Sequence, residues 1–535
     1  MNKVLKSIQF FVLKTNRIWP FNKLYTYSYI LARYVIVNIF KKLQQILSIY
    51  VKGAVITALD IPGSSDIDLT LITENLNPEK EFLLLKIIYK RFKILNRIFP
   101  FFSHYRTLNI TEARVYSQLK TLKGDNILSS RSKCVYGSNI LESKFQVSLD
   151  NIDLLNKSID TLKYLNWDLF TLDNNRHLRH FIKRIDTILE YLKQLTQVEH
   201  YSEYLRDLEK QSHLIKEANY FTRNSEDLLL DLWTKAIFLV NSFCACSKSP
   251  TKLNIDNKKL NRNFVLTKYD FAQETEEKVF NLIKPFIDEI ATTSKETKGV
   301  LLWPKINTNY QYNIVVFLPN NLDFDKAKNI ISYLVYAYRK IKLQNDNWYF
   351  GPPLVGKEDM IKFYIGNITS PLGIVSLIRH GKLLYNNGII VDKNLKEILQ
   401  HLNSITPQAL IGSVLLGPPL GVNIMEPLIK AIDTKNLKKV ISHLDTILGV
   451  IPAKRLMLEK EIITTSPKET YLEYIDKFKT ELETQFYRRN YQKFYFDITR
   501  KSFLSEVKEN LSNIHKFLRL NTNSILNYIN KIINF

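Results

Sequence analysis

The chain has 535 residues, 45% of them hydrophobic, with 30 Phe and 29 Tyr but only 15 Gly. That length suggests three or four domains with real cores, and the scarcity of glycine excludes a glycine-rich repeat or low-complexity polymer. The 75 basic and 52 acidic residues give a formal net charge of +23, a field that favours nucleic acid, nucleotide phosphates or an anionic membrane surface.

Charge alone does not choose among these polyanions, and the preference for Ile, Lys, Asn and Tyr is what an AT-rich genome produces. No zinc finger or aromatic-stacking strand motif accompanies it, so a nucleic-acid partner is admitted by net charge only. The three cysteines, Cys134, Cys244 and Cys246, are too few and too odd in number for a disulfide framework. They fit a reducing, cytoplasmic setting. Cys244 and Cys246 lack a second pair to complete a zinc site and read as part of a buried helix.

Residues 1–48 predict a basic helical arm. They contain no Asp or Glu but carry Lys3, Lys6, Lys14, Arg17, Lys23, Arg33, Lys41 and Lys42. The apolar run at 8–13 is short and has no small-residue cleavage site, which argues against a signal peptide. The run at 25–40 is interrupted by Arg33 and is short for a membrane span, so no integral membrane segment is expected. Attachment to a membrane surface and an organellar transit peptide are the alternatives to a simple arm.

Residues 49–145 alternate strands at 50–56, 67–72, 105–110 and 135–136 with a helix at 78–95, which implies a small α/β layer. Residues 146–296 turn helical, with apolar spacings of three and four such as Leu162, Leu165 and Leu169. Residues 297–395 return to α/β. Strands are expected at 299–304, 312–318, 353–355 and 383–385, with a helix at 323–341. Residues 396–535 are helical apart from a Gly/Pro loop at 417–421. The predicted fold class is α/β plus α.

The second α/β region reads as a copy of the first. Leu76 and Leu322, each before a long helix, are 322 − 76 = 246 positions apart. The same offset lays Leu108 on Leu354 and Glu112 on Glu358, while Tyr136 meets Tyr385 at 249. Asp66 and Asp68 project at 246 onto Tyr312 and Ile314, neither of which binds magnesium. The second unit is therefore expected to be a degenerate repeat.

Asp66-Ile67-Asp68 places two carboxylates on one strand face, because side chains alternate with period two. Ile67 and Leu69 then face the core. Paired carboxylates suit a hard divalent cation that neutralises and orients a triphosphate. Ser65 could turn its hydroxyl to the site, and Gly53 upstream permits close backbone approach to phosphate.

The stretch Tyr50-Val-Lys-Gly53-Ala-Val-Ile-Thr-Ala-Leu-Asp60-Ile-Pro62-Gly-Ser64-Ser65-Asp66-Ile-Asp68-Leu69 resembles the DNA polymerase β-like nucleotidyltransferase superfamily. That pattern is an apolar strand, Gly-Ser, a short helical turn and Asp-x-Asp. Tyr136-Gly137 is similar to a segment that many such proteins carry before a helical domain. The resemblance covers about residues 49–141. It implies a nucleotidyltransferase domain over 49–145, Mg2+ held by the catalytic pair Asp66 and Asp68, and nucleotide phosphates met by Gly53, Ser64 and Ser65. It also implies transfer of a nucleoside monophosphate from a nucleoside triphosphate to a hydroxyl or phosphate acceptor that the sequence does not identify.

The sequence departs from the family pattern at Ala54 and Ala58. The family also uses a third carboxylate on a later strand, and residues 101–110 contain no Asp or Glu. Glu112 reads as the first turn of a helix. His104 is weighed for the vacant role against a purely structural one. The alternative reading is therefore a catalytically impaired protein of this fold that binds nucleotide, RNA or a protein partner. Arg379-His380-Gly381 is expected to be only a helix end.

Overall fold

The computed structural model describes residues 15, 18–52, 67–99, 101–102, 104–118, 132–140, 151–170, 175–195, 202–217, 225–246, 263–268, 276–293, 296–304, 312–345, 353–366, 371–388, 410, 414, 424–479, 482–495 and 502–533. Two compact units emerge. The first joins Met1–Val147, Pro407–Ile462 and Thr470–Phe535, and the second joins Ser148–Thr406 and Ile463–Glu469.

The first unit opens with α1 (Phe21–Phe40), then β1 (Ile46–Lys52), β2 (Asp68–Thr73), α2 (Pro78–Ile98), β3 (His104–Asn109), α3 (Ile110–Gln118) and β4 (Ser132–Gly137). Its sheet has the order β3-β2-β1-β4. β1 runs antiparallel to both β2 and β4, and β2 runs parallel to β3. A parallel pair needs a long crossover, and α2 supplies it. That helix starts where the sequence invites one. Asn77 accepts the Lys80 N–H at 2.9 Å, Pro78 takes the first turn, and Glu79 and Glu81 lie near its positive end. β2 is buried at every position after Asp68, as a strand covered on both faces must be.

The second unit begins with the helices α4 (Asn151–Phe170), α5 (Asn175–Lys193), α6 (Ser202–Glu217), α7 (Ser225–Cys246) and α8 (Glu276–Thr293). They are followed by β5 (Gly299–Pro304), β6 (Tyr312–Leu318), α9 (Phe324–Asn345), β7 (Leu354–Lys357), α10 (Glu358–Gly366), α11 (Pro371–His380) and β8 (Lys382–Asn386). One apolar core runs from Leu154 through Trp233 and Phe317 to Leu377. Polar anchors pin its edges: Arg339 donates to the Leu169 carbonyl at 2.8 Å, and Asn241 accepts the Met360 N–H at 2.9 Å. Among the described residues one segment, Asp227–Ala245 in α7, is long and apolar enough to cross a membrane, and 67% of it is buried inside the protein. That is the burial of a core helix.

The second sheet has the order β7-β6-β5-β8, with β5 antiparallel to β6 and β8 and β6 parallel to β7. It repeats the order and directions of the first. Even an irregularity recurs: β1 slips against β4 between Ile49 and Tyr50, and β5 slips against β8 between Val300 and Leu301. The crossover helices start alike, since Asp323 accepts the Lys326 N–H at 2.8 Å as Asn77 does for Lys80.

The chain then returns to the first unit through α12 (Met425–Asp433), α13 (Leu437–Asp445), a π-helical turn at Thr446–Val450, and α14 (Ile451–Lys460). It ends with α15 (Pro467–Lys477), α16 (Leu482–Tyr495), α17 (Phe503–Glu509) and α18 (Leu511–Ile533). Aromatic stacking knits α15, α16 and α18, with Tyr471 and Tyr491 face to face at 4.1 Å and Tyr487 against Phe517 at 5.0 Å.

Candidate metal centre

Asp68 opens β2. Its backbone pairs with Lys52, the last residue of β1, and with His104, the first residue of β3. Three strand ends therefore meet at one edge of the sheet, where the segment containing Gly53, Ser64, Ser65 and Asp66 enters and leaves. Those four candidates lie outside the described residues. Side chains of paired residues in neighbouring strands project to the same face, so Asp68 and His104 share one side of the sheet. Ile67 and Leu69 are buried as expected. Asp68 is half-buried with its Oδ1 shielded from solvent, whereas His104 is exposed. The Ile67 N–H donates to the Phe101 carbonyl at 2.8 Å, extending the alignment of β2 with the approach to β3.

Among the described residues no group of three or more His, Cys, Asp or Glu is arranged to hold a metal. The acid nearest in sequence to β3, Glu112, is committed elsewhere. Its N–H donates to the Asn109 side chain at 2.8 Å, and its carboxylate accepts the Asn109 N–H at 2.9 Å. This is a capping box built on Asn109, which satisfies two helix-terminal donors reciprocally. The expected role in the first turn of a helix is what the structure has.

The other Glu112 oxygen accepts from Arg519 Nη1 of α18 at 2.9 Å. Arg519 also grips both oxygens of Glu81, with Nε on Oε2 at 2.7 Å and Nη2 on Oε1. The His515 Nε2 meets Glu81 Oε2 at 3.0 Å, and its ring stacks on Phe82. All four polar residues are buried. Burial pushes the Glu81 carboxyl up, but the His515 hydrogen bond and the Arg519 charge outweigh it and hold Glu81 below the usual carboxylate range. Burial wins at Glu112, which is raised with Arg519 only partly offsetting it. Burial also lowers His515. Among the described residues its Nδ1 is buried without a hydrogen-bond partner, which fits a neutral ring protonated on Nε2.

One feature of the sequence marks this cluster. His515 and Arg519 stand four apart on a helix where apolar residues would otherwise fill the buried face. In the second unit, Arg379 and His380 do end a helix, and they also reach Thr465, while Arg379 lies 3.5 Å from the buried Glu469. Glu469 accepts the Thr465 N–H at 2.8 Å.

The shared irregularity sets a register between the two sheets. Ile49 pairs with Leu71 and Val300 pairs with Val316. Counting back three residues from each partner aligns Asp68 with Asn313, one position away from the Ile314 that a constant offset of 246 selects. Likewise α3 and α10 start directly after Asn109 and Lys357, which aligns Glu112 with Met360 rather than Glu358. The offset drifts because the loops differ in length. No carboxylate stands at the Asp68 counterpart in either alignment.

No protein-family model, curated protein or solved structure matches the chain.

Proposed function

We propose that the first unit is a magnesium-dependent nucleotidyltransferase, moving a nucleoside monophosphate from a nucleoside triphosphate onto a hydroxyl or phosphate acceptor. The observation that carries the reading is the meeting of strand ends at Asp68. One strand ends at Lys52, just before Gly53 in the sequence, a second opens at Asp68, and a third runs beside it in register from His104. Asp66 and Asp68 would hold Mg2+, whose charge neutralises the triphosphate, and the Gly53 backbone with Ser64 and Ser65 would position the phosphates. His104, paired with Asp68 across the two strands and on the same sheet face, would accept a proton from the acceptor hydroxyl.

The second sheet is then a degenerate repeat of the first. Its matching strand order, crossover and irregularity support common descent, and Asn313 in the place of Asp68 supports loss of the metal site.

A second reading has a specific observation in its favour. Glu81 and Glu112 are locked onto Arg519, and among the described residues no group of three or more His, Cys, Asp or Glu could hold a metal. A protein that binds nucleotide without turning it over would look the same. The deciding experiment incubates the full chain with labelled triphosphates and mixed acceptors, with and without Mg2+, beside Asp66→Asn and Asp68→Asn. Turnover in wild type and its loss in both variants is the expected result. No turnover by wild type, with metal binding unchanged in the variants, overturns the enzyme reading.

A further inference from the structure

The helix α1 is apolar on two opposite faces. Tyr29, Ala32, Ile36 and Phe40 are buried against the rest of the unit, with Tyr29 stacked on Phe101 at 4.2 Å. Rotated half a turn away are Leu24 (59% exposed), Tyr27 (67%), Leu31 (58%) and Tyr34 (67%), and Trp19 (71%) stands just before the helix. These positions recur at spacings of three and four, so they form one outward stripe. A second exposed stripe, Leu83, Ile87, Ile94 and Ile98, runs along α2. The two helices touch, with Arg91, between Ile87 and Ile94 on α2, donating to the Ile39 carbonyl of α1 at 2.5 Å. Exposed apolar stripes of this kind mark a site of association.

Its charge identifies the associate. The first acidic residue of the chain is Asp60, and nine Lys or Arg precede it. Lys23, Lys41 and Lys42 are exposed beside the α1 stripe. On α2 no acid follows Glu81, while Lys86, Lys90 and Arg97 are exposed among the isoleucines. Apolar stripes rimmed mainly by cations, with the one exposed acid of α2, Glu79, paired to Lys516, match the two layers of an anionic bilayer surface: acyl chains beneath, negative headgroups above. The aromatic residues fit the same boundary, since Tyr and Trp place an apolar ring inward and a polar tip at headgroup level. We propose that the outward face of α1, together with the exposed stripe of α2, seats the protein on an anionic lipid surface as a peripheral, in-plane attachment.

The test is flotation of the full chain with vesicles of phosphatidylcholine alone and of phosphatidylcholine with phosphatidylserine. It is run beside Leu24→Ser/Tyr27→Ser/Leu31→Ser and Lys41→Glu/Lys42→Glu, with sedimentation velocity on each protein. All substituted side chains are exposed, and the second variant leaves the helix packing intact if the first fails to fold. The expected result is binding to the anionic vesicles that falls about tenfold or more in each variant, and on neutral vesicles. Wild type unbound to anionic vesicles overturns the proposal. So does binding unchanged in either folded variant, or a wild-type dimer that the apolar variant dissociates without any vesicle binding, which would make the face a contact between copies.

Discussion

Arg519 and Glu81, 438 positions apart in the chain, form a buried two-point ion pair that fastens the last helix to the crossover helix of the first sheet. Glu112 takes a third donor of the same guanidinium, so one side chain from α18 clamps both helices that flank β3. Planar Arg is suited to this task, as its fixed fork can serve two carboxylates at once.

Removing the clamp leaves two carboxylates buried without their cation. We expect Arg519→Leu to destabilise the first unit by about 3–5 kcal/mol. Glu112→Gln should cost less, because a glutamine oxygen still accepts the Asn109 N–H. Urea titration followed by near-UV circular dichroism measures both. Equal losses would mean that Glu112 serves Arg519 alone.

Stability should fall on the acid side through this same cluster. His515 is buried neutral, so its contribution is complete above the unfolded value of 6.5 and is lost as pH falls below it. Glu81, held below 4.5, adds a loss at lower pH. His443, lowered to about 4 by burial and by Lys439, contributes to the same slope. His515→Gln should therefore flatten the stability profile below pH 6.5 in part, as read from thermal midpoints across pH 5–7.

On the alkaline side the sign reverses at Glu426. Burial raises its carboxyl to about 8, against the pull of Lys430 and the hydroxyl of Tyr105. The folded protein keeps a proton there that an unfolded carboxyl releases near 4.5. That contribution is complete below pH 4.5 and gone above pH 8. Glu426→Gln should raise the thermal midpoint at pH 8.5 and leave it nearly unchanged at pH 4.5. A midpoint unchanged at both pH values would show that the carboxyl ionises freely in the fold.

Gly137 closes β4 at φ +79, and a Cβ there would lie 1.8 Å from the Leu47 carbonyl oxygen. Gly388, after β8, has φ +89, but a Cβ there would meet the Lys298 Nζ at 4.0 Å, an ordinary contact. Gly137→Ala should cost more than the about 1–3 kcal/mol of backbone strain alone, because backbone of β1 must move. Gly388→Asn should cost about 1 kcal/mol or less, since Asn tolerates this region. Denaturant midpoints of the two variants give the comparison.

At the proposed metal centre, Asp68→Asn should lower magnesium-dependent turnover by about 10²-fold or more, as loss of a group that stabilises transition-state charge does. His104→Ala should lower kcat by about 10²-fold while leaving KM for the triphosphate nearly unchanged, which distinguishes a proton acceptor from a surface residue.

The local elements were legible because local chemistry writes them. Strands at Gly299–Pro304 and Tyr312–Leu318 follow from unbroken β-branched and apolar runs, and the start of α2 follows from Asn77-Pro78. Ile67 and Leu69 were placed in the core by alternation around Asp68. Correspondence between the two α/β regions was visible at the helix caps. The fixed offset misplaced Glu112 and Asp68 because loop lengths vary, and only strand pairing supplies a register independent of them.

By itself, then, the sequence determined helix or strand, the buried faces and the acid-free N-terminal region, and it supplied Asp66 with Asp68 as the pair on which the proposed function rests. Tertiary structure decided which distant segments share a core. It brought His515 and Arg519 to Glu81 and Glu112, and it set His104 beside Asp68. Those pairings join residues tens to hundreds of positions apart. The chain closes such loops only through the combined burial of many side chains, a sum that no local pattern contains.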